Sequence, residues 1–321
     1  MKKELRSLAM ILPLSLFMFT SCDVLSPLDA NNSSTTDLSE TDIASGLKEA
    51  LVLGAKTAAF TLSDTSGVEN SFNELTGYLA NELLRINLPP DAENAIRMLE
   101  NLNKSEIGKT FLDASGIDIS QYRDLIIHGL NRGAEIAASL SVDVFEKAIR
   151  EMDIVSAEDI LFGQDSTAAT SYLQSTTSNI LANGFTPIVD SVFSAVMVTA
   201  FGKQVTVNDL WNEFSENYNI VATAYQALTT DAASTDFNKS FNAKATLELL
   251  SEAGITSIDP LSTDVVSFAT SEALKGLFYM VGKQEVKIRR DPVAALTTTV
   301  RFATNDTVYN LITTIFTKTT E

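Results

Sequence analysis

The segment from Ser262 to Arg290, STDVVSFATSEALKGLFYMVGKQEVKIRR, decides the predicted fold. Apolar and small residues recur along it at intervals of three or four positions, which places them on one face of an α-helix. These residues are Val266, Ala269, Ala273, Leu277 and Met280. Pro260 precedes the segment and Pro292 follows it, and proline interrupts helices. The pattern therefore predicts one long helix with a buried face.

Helical spacing extends from this segment in both directions along the chain. Ser39 with Asp42, and Thr206 with Asp209, are pairs of the kind that begin helices. Helices are predicted over residues 39–58, 75–84, 91–102, 121–138, 142–152, 156–163, 166–182, 187–200, 206–225 and 237–253, with two short ones after Pro292. Strand-like alternation is scarce. The predicted fold class is all-α, a multi-helix globular bundle with no sizeable sheet.

The N-terminus has the features of a secretory signal peptide. A basic start that contains Lys2, Lys3 and Arg6 is followed by an apolar run from Leu8 to Phe19 and then by small residues. The run is shorter than the roughly 20 residues that a membrane-spanning helix needs. We therefore predict that residues 1–21 are a signal peptide that is removed.

Cys22 is the only cysteine in the chain and lies directly after the predicted signal. A single cysteine cannot form an internal disulfide, so an exported protein with one thiol needs another use for it. The stretch from Phe19 to Cys22 resembles a bacterial lipobox, although Phe19 stands where leucine is usual. Cys22 is therefore the predicted site of lipid attachment, and its acyl chains would hold the protein on a membrane without spanning it.

Composition and charge describe the rest of the mature chain. Residues 22–37 are rich in Ser, Thr and Asn without apolar periodicity, which predicts a flexible tether. Residues 38–321 are predicted to form one helical domain, in which 203–258 is a candidate insertion. The formal charge of the chain is −18, which disfavours binding to nucleic acid. The body is expected to face the periplasm, and the outer membrane is favoured over the inner one.

The sequence contains none of the common catalytic signatures that we sought. It has no His-Glu-x-x-His, no phosphate-binding glycine loop before a lysine and no Gly-x-Ser-x-Gly. One histidine and one predicted lipidated cysteine exclude the common zinc sites. We therefore expect no metal and no cofactor, and a protein without catalytic activity is favoured.

Two groups of polar residues, the first of which includes Asn131, remain as candidates for a binding site or a polar network. His128, Arg132 and Glu135 lie four and seven positions apart on one helix and share a face. They form either a site or a set of hydrogen bonds between helices, and the second interpretation is favoured. Glu285, Arg289 and Arg290 lie near the end of a helix, where its dipole favours cations. They form either a contact for an anionic partner or a solvated helix end, and the second interpretation is favoured.

Asp165 stands between two predicted helices and is a candidate for the same list. Either Asp165 or Ser166 is predicted to cap the helix that follows, since a carboxylate suits a helix N-terminus. The exposed N–H groups of such a terminus can also hold an anion. Capping alone accounts for both residues and is the favoured interpretation.

The order and spacing of several motifs resemble the bacterial proteins grouped as domain of unknown function 4197. Two of them are Asn131-Arg132-Gly133-Ala134-Glu135, where the family usually has alanine at Gly133, and Ile288-Arg289-Arg290-Asp291-Pro292. The other matches are residues 38–43 with 46–51, residues 85–89, Phe145, Ala148, Ile149 and Met152, residues 163–165 with 168–170, residues 185–189 and residues 273–278. The sequence departs from the pattern at Gln164, at Val286 and in the long segment 203–258.

This resemblance implies an envelope lipoprotein with a helical body. It supplies neither an activity nor catalytic residues, because the family has no established function. Three hypotheses follow for the function. The first is a binding or scaffold protein of the envelope with a protein partner. The second is a carrier of an apolar ligand between helices. The third is an enzyme that uses His128, Arg132 and Glu135, with Asp165, in one cleft.

Overall fold

The computed structural model describes residues 38–70, 72–115, 121–298 and 305–318. The predicted signal peptide, the predicted tether and Cys22 lie outside these residues and stay predictions. The described helices are α1 (Glu40–Ser63), α2 (Pro90–Leu102), α3 (Glu106–Ser115), α4 (Tyr122–Leu140), α5 (Val142–Glu151), α6 (Ala157–Phe162), α7 (Ala168–Phe193), α8 (Val207–Ala232), α9 (Phe237–Glu252), α10 (Val265–Arg290), α11 (Pro292–Thr298) and α12 (Asp306–Thr317).

The only sheet in the described part of the chain is a short antiparallel hairpin. Strand β1 (Met197–Ala200) pairs with β2 (Lys203–Thr206), so that Met197 faces Thr206 and Ala200 faces Lys203. Gly202 has a φ of 77° in the turn, a conformation that glycine adopts at little cost. The prediction of an all-α bundle without a sizeable sheet is confirmed.

The long helix with a buried face that the apolar spacing predicts is present as α10, which lies at the centre of the bundle. It packs against α1 on one side and against α7 on another. Ala269, Ala273, Leu277 and Met280 are buried, and Val266 is partly buried against the same core. The capping pairs are also confirmed, because the hydroxyls of Ser39 and Thr206 accept hydrogen bonds from the N–H groups of Asp42 and Asp209.

The helix predicted over 75–84 is wrong. Residues 64–89 form no helix where the structure describes them, and they run as a long connection between α1 and α2. Gly77 has a φ of 77° and Asn73 a φ of 57°, and neither value is compatible with a right-handed helix. Among the apolar residues of this segment, Tyr78 is fully buried by packing against α10, whereas Leu75 and Leu83 are exposed.

The two helices predicted over 166–182 and 187–200 are one helix as far as Phe193, so the interruption predicted between them and the helical end predicted at residue 200 are wrong. Helix α7 continues through Gly184 and Pro187 to Phe193, and residues 197–200 form β1. Gly184 allows a close approach, because a Cβ there would lie 2.8 Å from Val144 of α5. The close packing of α5 on α7 therefore outweighs the weak helix preference of glycine.

Helices α8 and α9 form an antiparallel hairpin on the outside of the bundle. The first half of α8 packs on α4, and its residues Leu210, Trp211 and Phe214 belong to the main core. Helix α9 packs mainly on α8 and has a small contact with α3. One side of α9 therefore faces outward along its length.

No helix in the described ranges combines the length and the apolar character that crossing a membrane requires.

Gly276 gives a first testable prediction about packing on α10. Its place faces the fully buried Tyr78, and a Cβ there would lie 2.5 Å from Cε1 of that ring. The ring is fixed, because the Tyr78 hydroxyl donates a hydrogen bond of 2.7 Å to the carbonyl of Ala273. We expect Gly276→Ala to lower the free energy of unfolding by about 1–3 kcal/mol through overpacking.

Gly282 on the same helix supplies the matched control in a denaturant titration. A Cβ there would lie 3.5 Å from Thr167, an ordinary contact. Gly282→Ala should leave stability unchanged or raise it by up to about 1 kcal/mol through helix propensity. Equal stability of the two variants would show that Tyr78 does not restrict Gly276.

Candidate functional site

Glu135 on α4 fastens the connection 64–89 to the helical core. Its side chain is buried, and its Oε1 accepts hydrogen bonds of 3.0 Å from the N–H groups of both Tyr78 and Leu79. Its Oε2 accepts a hydrogen bond of 2.7 Å from Nη1 of Arg132, whose side chain is partly exposed. Burial and the charge of Glu135 raise the pKa of Tyr78 well above its usual value. Both carboxylate oxygens therefore have a structural use.

Asn131 fastens the same connection one turn earlier on α4. Its Oδ1 accepts a hydrogen bond of 2.8 Å from the N–H of Ile86, and its Nδ2 donates one of 2.7 Å to the Ile86 carbonyl. The same Nδ2 donates to the carbonyl of Ile127. Ile86 lies in the extended stretch before Pro89. The Asn131 side chain therefore makes the hydrogen bonds to the Ile86 backbone that a neighbouring β-strand would otherwise make.

His128 does not join this cluster. It is exposed, and no residue in the described ranges forms a hydrogen bond or an ion pair with its side chain. The predicted common face of His128, Arg132 and Glu135 brings together only Arg132 and Glu135. The reason is that Glu135 turns inward to the N–H groups of the connection, whereas His128 faces solvent.

The solvated helix end predicted for the second group is wrong, because Glu285 and Arg289 form a largely buried clamp at the end of α10. Oε1 of Glu285 accepts a hydrogen bond of 3.0 Å from the N–H of Ala169, and Oε2 accepts bonds of 2.7 Å from the N–H and the hydroxyl of Thr170. Arg289 donates to Oε1 through Nε at 2.9 Å and Nη2 at 2.7 Å. It also donates to the carbonyls of Leu161 at 2.7 Å and Ile160 at 2.9 Å.

This clamp places each charge where a helix dipole favours it. The Glu285 carboxylate lies at the N-terminus of α7, and the Arg289 guanidinium lies at the C-terminus of α6. Arg289 also lies over the ring of Phe316 on α12, 5.8 Å from its centroid. Arg290 points away and is exposed. The ion pair thus connects α6, α7, α10 and α12.

The cap predicted from Asp165 or Ser166 is corrected by this arrangement. The residue at the cap position of α7 is Thr167, and its side chain makes no capping hydrogen bond. The Asp165 carboxylate instead accepts bonds of 2.8 Å from the N–H and the hydroxyl of Thr167. These bonds, and next the charge of Arg289, lower the pKa of Asp165. Glu285 from α10 supplies the cap, because it already occupies the N–H groups of the first turn.

A cleft of about 470 Å³ lies between the first half of α7 and α10. Its floor contains Phe278 and Gly282, and its walls carry hydroxyl groups from α7. Two lysines lie at its edge, and each forms an ion pair, Lys275 with Glu272 and Lys283 with Glu74. The volume is within the range of small-molecule sites.

Glu74 joins the connection 64–89 to the edge of this cleft, and the sequence analysis did not single it out. It accepts a hydrogen bond of 2.7 Å from the Tyr279 hydroxyl and lies 2.9 Å from Nζ of Lys283. Burial first, and then Glu74, raise the pKa of Tyr279, whereas the hydrogen bond to Glu74 raises the pKa of Lys283. No local pattern relates Glu74 to residues 205 positions away.

The outward side of α9 is the most apolar exposed helix face that we identify. Phe237 and Phe241 are 77% and 62% exposed, and their rings stack with centroids 5.9 Å apart. Ala245 and Leu249 continue the same row at intervals of four residues and are also exposed. We call these four residues the α9 stripe. The sequence shows their spacing, but only the structure shows that α8 covers the opposite side.

These positions define what the described residues can do chemically. The catalytic hypothesis needs His128, Arg132, Glu135 and Asp165 to meet in one cleft, and only Arg132 and Glu135 are in contact. No group of three or more His, Cys, Asp or Glu in the described ranges is arranged to hold a metal ion. Asn131, Glu135, Glu285 and Arg289 hold the fold together, whereas the α9 stripe and the α7–α10 cleft face outward.

One comparison with known proteins gives a match. A family model described as "Protein of unknown function (DUF4197)" matches residues 37–302, which include every helix from α1 to α11. No curated protein matches the chain, and no solved structure matches it. The match agrees with the motifs compared above, from residues 38–51 at one end to residues 288–292 at the other.

Proposed function

Starting from the DUF4197 family of proteins of unknown function, to which this chain belongs, we propose that it is a lipid-anchored docking protein of the bacterial cell envelope. It binds a protein partner and does not catalyse a reaction. The anchor is Cys22, and the tether of residues 22–37 separates the helical body from the membrane. A flexible chain of about 15 residues has a mean reach of roughly 20 Å, so a tether of the kind that the composition of this segment predicts would let the body turn and meet partners.

The α9 stripe is the observation that carries the docking proposal. Two stacked phenylalanine rings exposed at 77% and 62% are unfavourable in water, and a contiguous exposed apolar surface is typical of interaction sites. Aromatic side chains also contribute more than most others to binding energy at interfaces. The buried charged groups, by contrast, are already paired inside the protein.

Affinity capture of the full lipoprotein from cross-linked envelope membranes tests this function. Phe237→Asp with Phe241→Asp should remove captured partners, because it places two carboxylates in the apolar surface. Leu83→Asp is the matched control, since Leu83 is 75% exposed in another part of the protein. The control should retain the partners. The proposal is wrong if both variants capture the same proteins as the unmodified chain.

A carrier of a small ligand is the second candidate, and the α7–α10 cleft favours it. Phe278 offers an apolar lining, and Lys275 and Lys283 would bind an anionic head that replaces Glu272 and Glu74 as their partners. This combination suits an amphiphile with an anionic head. Native mass spectrometry of the gently extracted lipoprotein tests it. A bound small molecule that Gly282→Leu removes would support the carrier, and a mass of protein and anchor alone would reject it.

A further inference from the structure

Two neighbouring rows of side chains lie on the outward side of α9. The α9 stripe is one row, with members four residues apart. Lys244 and Glu248 belong to the row beside it, also four residues apart, and both are exposed. Rows of this spacing are the ridges that interlock when two helices cross at about −50°. The small Ala245 near the middle of the stripe allows a second helix to approach closely.

The charges beside the stripe are unused within the protein. Neither Lys244 nor Glu248 forms an ion pair with any residue that the structure describes. They have opposite signs and lie on one flank of the apolar row, one helical turn apart. When two copies of α9 are related by a twofold axis that is perpendicular to the helix and passes between these two positions, Lys244 of one copy lies beside Glu248 of the other.

We propose that the partner of the α9 stripe is a second copy of this chain, paired through antiparallel α9 helices. In that arrangement Lys244 of each copy meets the partner's Glu248, and two equivalent ion pairs form around the stripe. A parallel twofold pair would instead bring this flank of one copy against the opposite flank of the other, so that Lys244 would not meet the partner's Glu248. The charge pattern is therefore complementary to itself in one orientation only. The inference rests on the docking function proposed above and names its partner.

Because both copies are anchored in one membrane, a small interface of this kind is sufficient for a dimer to form. One helix face buries less surface than the roughly 800 Å² per partner of a standard stable complex. Two copies anchored in one membrane share an orientation and have a high effective concentration, which strengthens a weak contact. We therefore expect the pair to form on the membrane, and the experiment uses the protein in that setting.

Photo-cross-linking in native membranes tests the inference. A photoreactive amino acid replaces Phe241 in the full lipoprotein, and the same replacement at the exposed Leu83 is the control. We expect a homodimer adduct from position 241 and none from position 83. Lys244→Glu alone and Glu248→Lys alone should each lower the yield by roughly five- to tenfold, because two ion pairs become like-charge contacts. The combined exchange should restore the yield.

The outcomes separate this inference from the docking function. An adduct between position 241 and a different protein overturns the second copy as partner and leaves the docking function standing. The absence of any adduct above the control at position 83 overturns both. The antiparallel pairing is overturned if a homodimer adduct forms in the unmodified chain but the combined Lys244→Glu and Glu248→Lys exchange does not restore its yield.

Discussion

Replacing Glu285 by alanine is expected to lower the free energy of unfolding by about 3–5 kcal/mol, the usual cost of removing one partner of a buried ion pair. The variant leaves the Arg289 guanidinium buried without a carboxylate. It also leaves the N–H groups of Ala169 and Thr170 without their acceptor. The carbonyls of Ile160 and Leu161 remain as the only polar contacts of that guanidinium that we describe.

A denaturant titration of the full chain measures this loss, and Glu272→Ala is its control. Glu272 lies on the same helix and pairs with Lys275 at the surface, where such pairs contribute about 0–1 kcal/mol. Arg289→Ala and the double variant complete a mutant cycle, which should show a coupling of about 0.5–3 kcal/mol. Similar stabilities for Glu285→Ala and Glu272→Ala would contradict a structural role for the clamp.

The second large effect is expected at Glu135. Glu135→Ala removes the acceptor of the Tyr78 and Leu79 N–H groups, and a buried N–H without a partner costs about 1–3 kcal/mol. We expect a total loss of about 2–4 kcal/mol and faster hydrogen exchange at residues 77–79. Gly77 strengthens this expectation, because it holds a φ of 77° that brings the connection close to the carboxylate.

Arg132→Ala removes the ion pair of the Glu135 carboxylate and leaves its hydrogen bonds to the Tyr78 and Leu79 N–H groups in place. Arg132 is partly exposed and contacts only Oε2, so we expect a loss of no more than about 1 kcal/mol and unchanged exchange at residues 77–79. Glu82→Ala, at an exposed position of the same connection, should be neutral. If Arg132→Ala is as destabilising as Glu135→Ala, the ion pair and not the N–H contact holds the connection.

The parts of the fold that the sequence predicts correctly depend on short sequence separations. The caps at Ser39 and Thr206 involve partners three residues away. The buried face of α10 appears in the spacing of its own residues. The bonds from Glu135 to Tyr78 and from Glu285 to Thr170 join residues 57 and 115 positions apart, and no single-sequence pattern reports such contacts.

The wrong helix predictions have physical causes in tertiary packing. Residues 75–84 carry apolar residues at spacings that suit a helix, yet Tyr78 is buried by α10 and by its hydrogen bond to Ala273. Gly184 and Pro187 weaken a helix locally, yet α7 continues because α5 and the core pack along it. Local preference is worth about 1 kcal/mol at a glycine, and dense packing exceeds it.

The candidate residues were identified with mixed success for the same reason. Asn131 and Glu135 hold the connection, and Glu285 and Arg289 hold helices together. The sequence analysis favoured a polar network for Glu135, but the solvated helix end that it favoured for Glu285 and Arg289 is wrong, because this pair is largely buried. Glu74 was missed, since its partners lie on α10. The α9 stripe was missed as well, because an amphipathic spacing does not tell which side a neighbouring helix covers.

Hydroxyl-radical footprinting of the lipoprotein in its own membranes tests the docking account most directly. Radicals oxidise exposed aromatic side chains, so Phe237 and Phe241 should react readily in the purified, dilute protein, in keeping with their exposure of 77% and 62%. The account predicts strong protection of both rings in the native membrane, with Leu83 oxidised equally in the two samples. Equal oxidation of Phe237 and Phe241 in membrane and in dilute solution would contradict it.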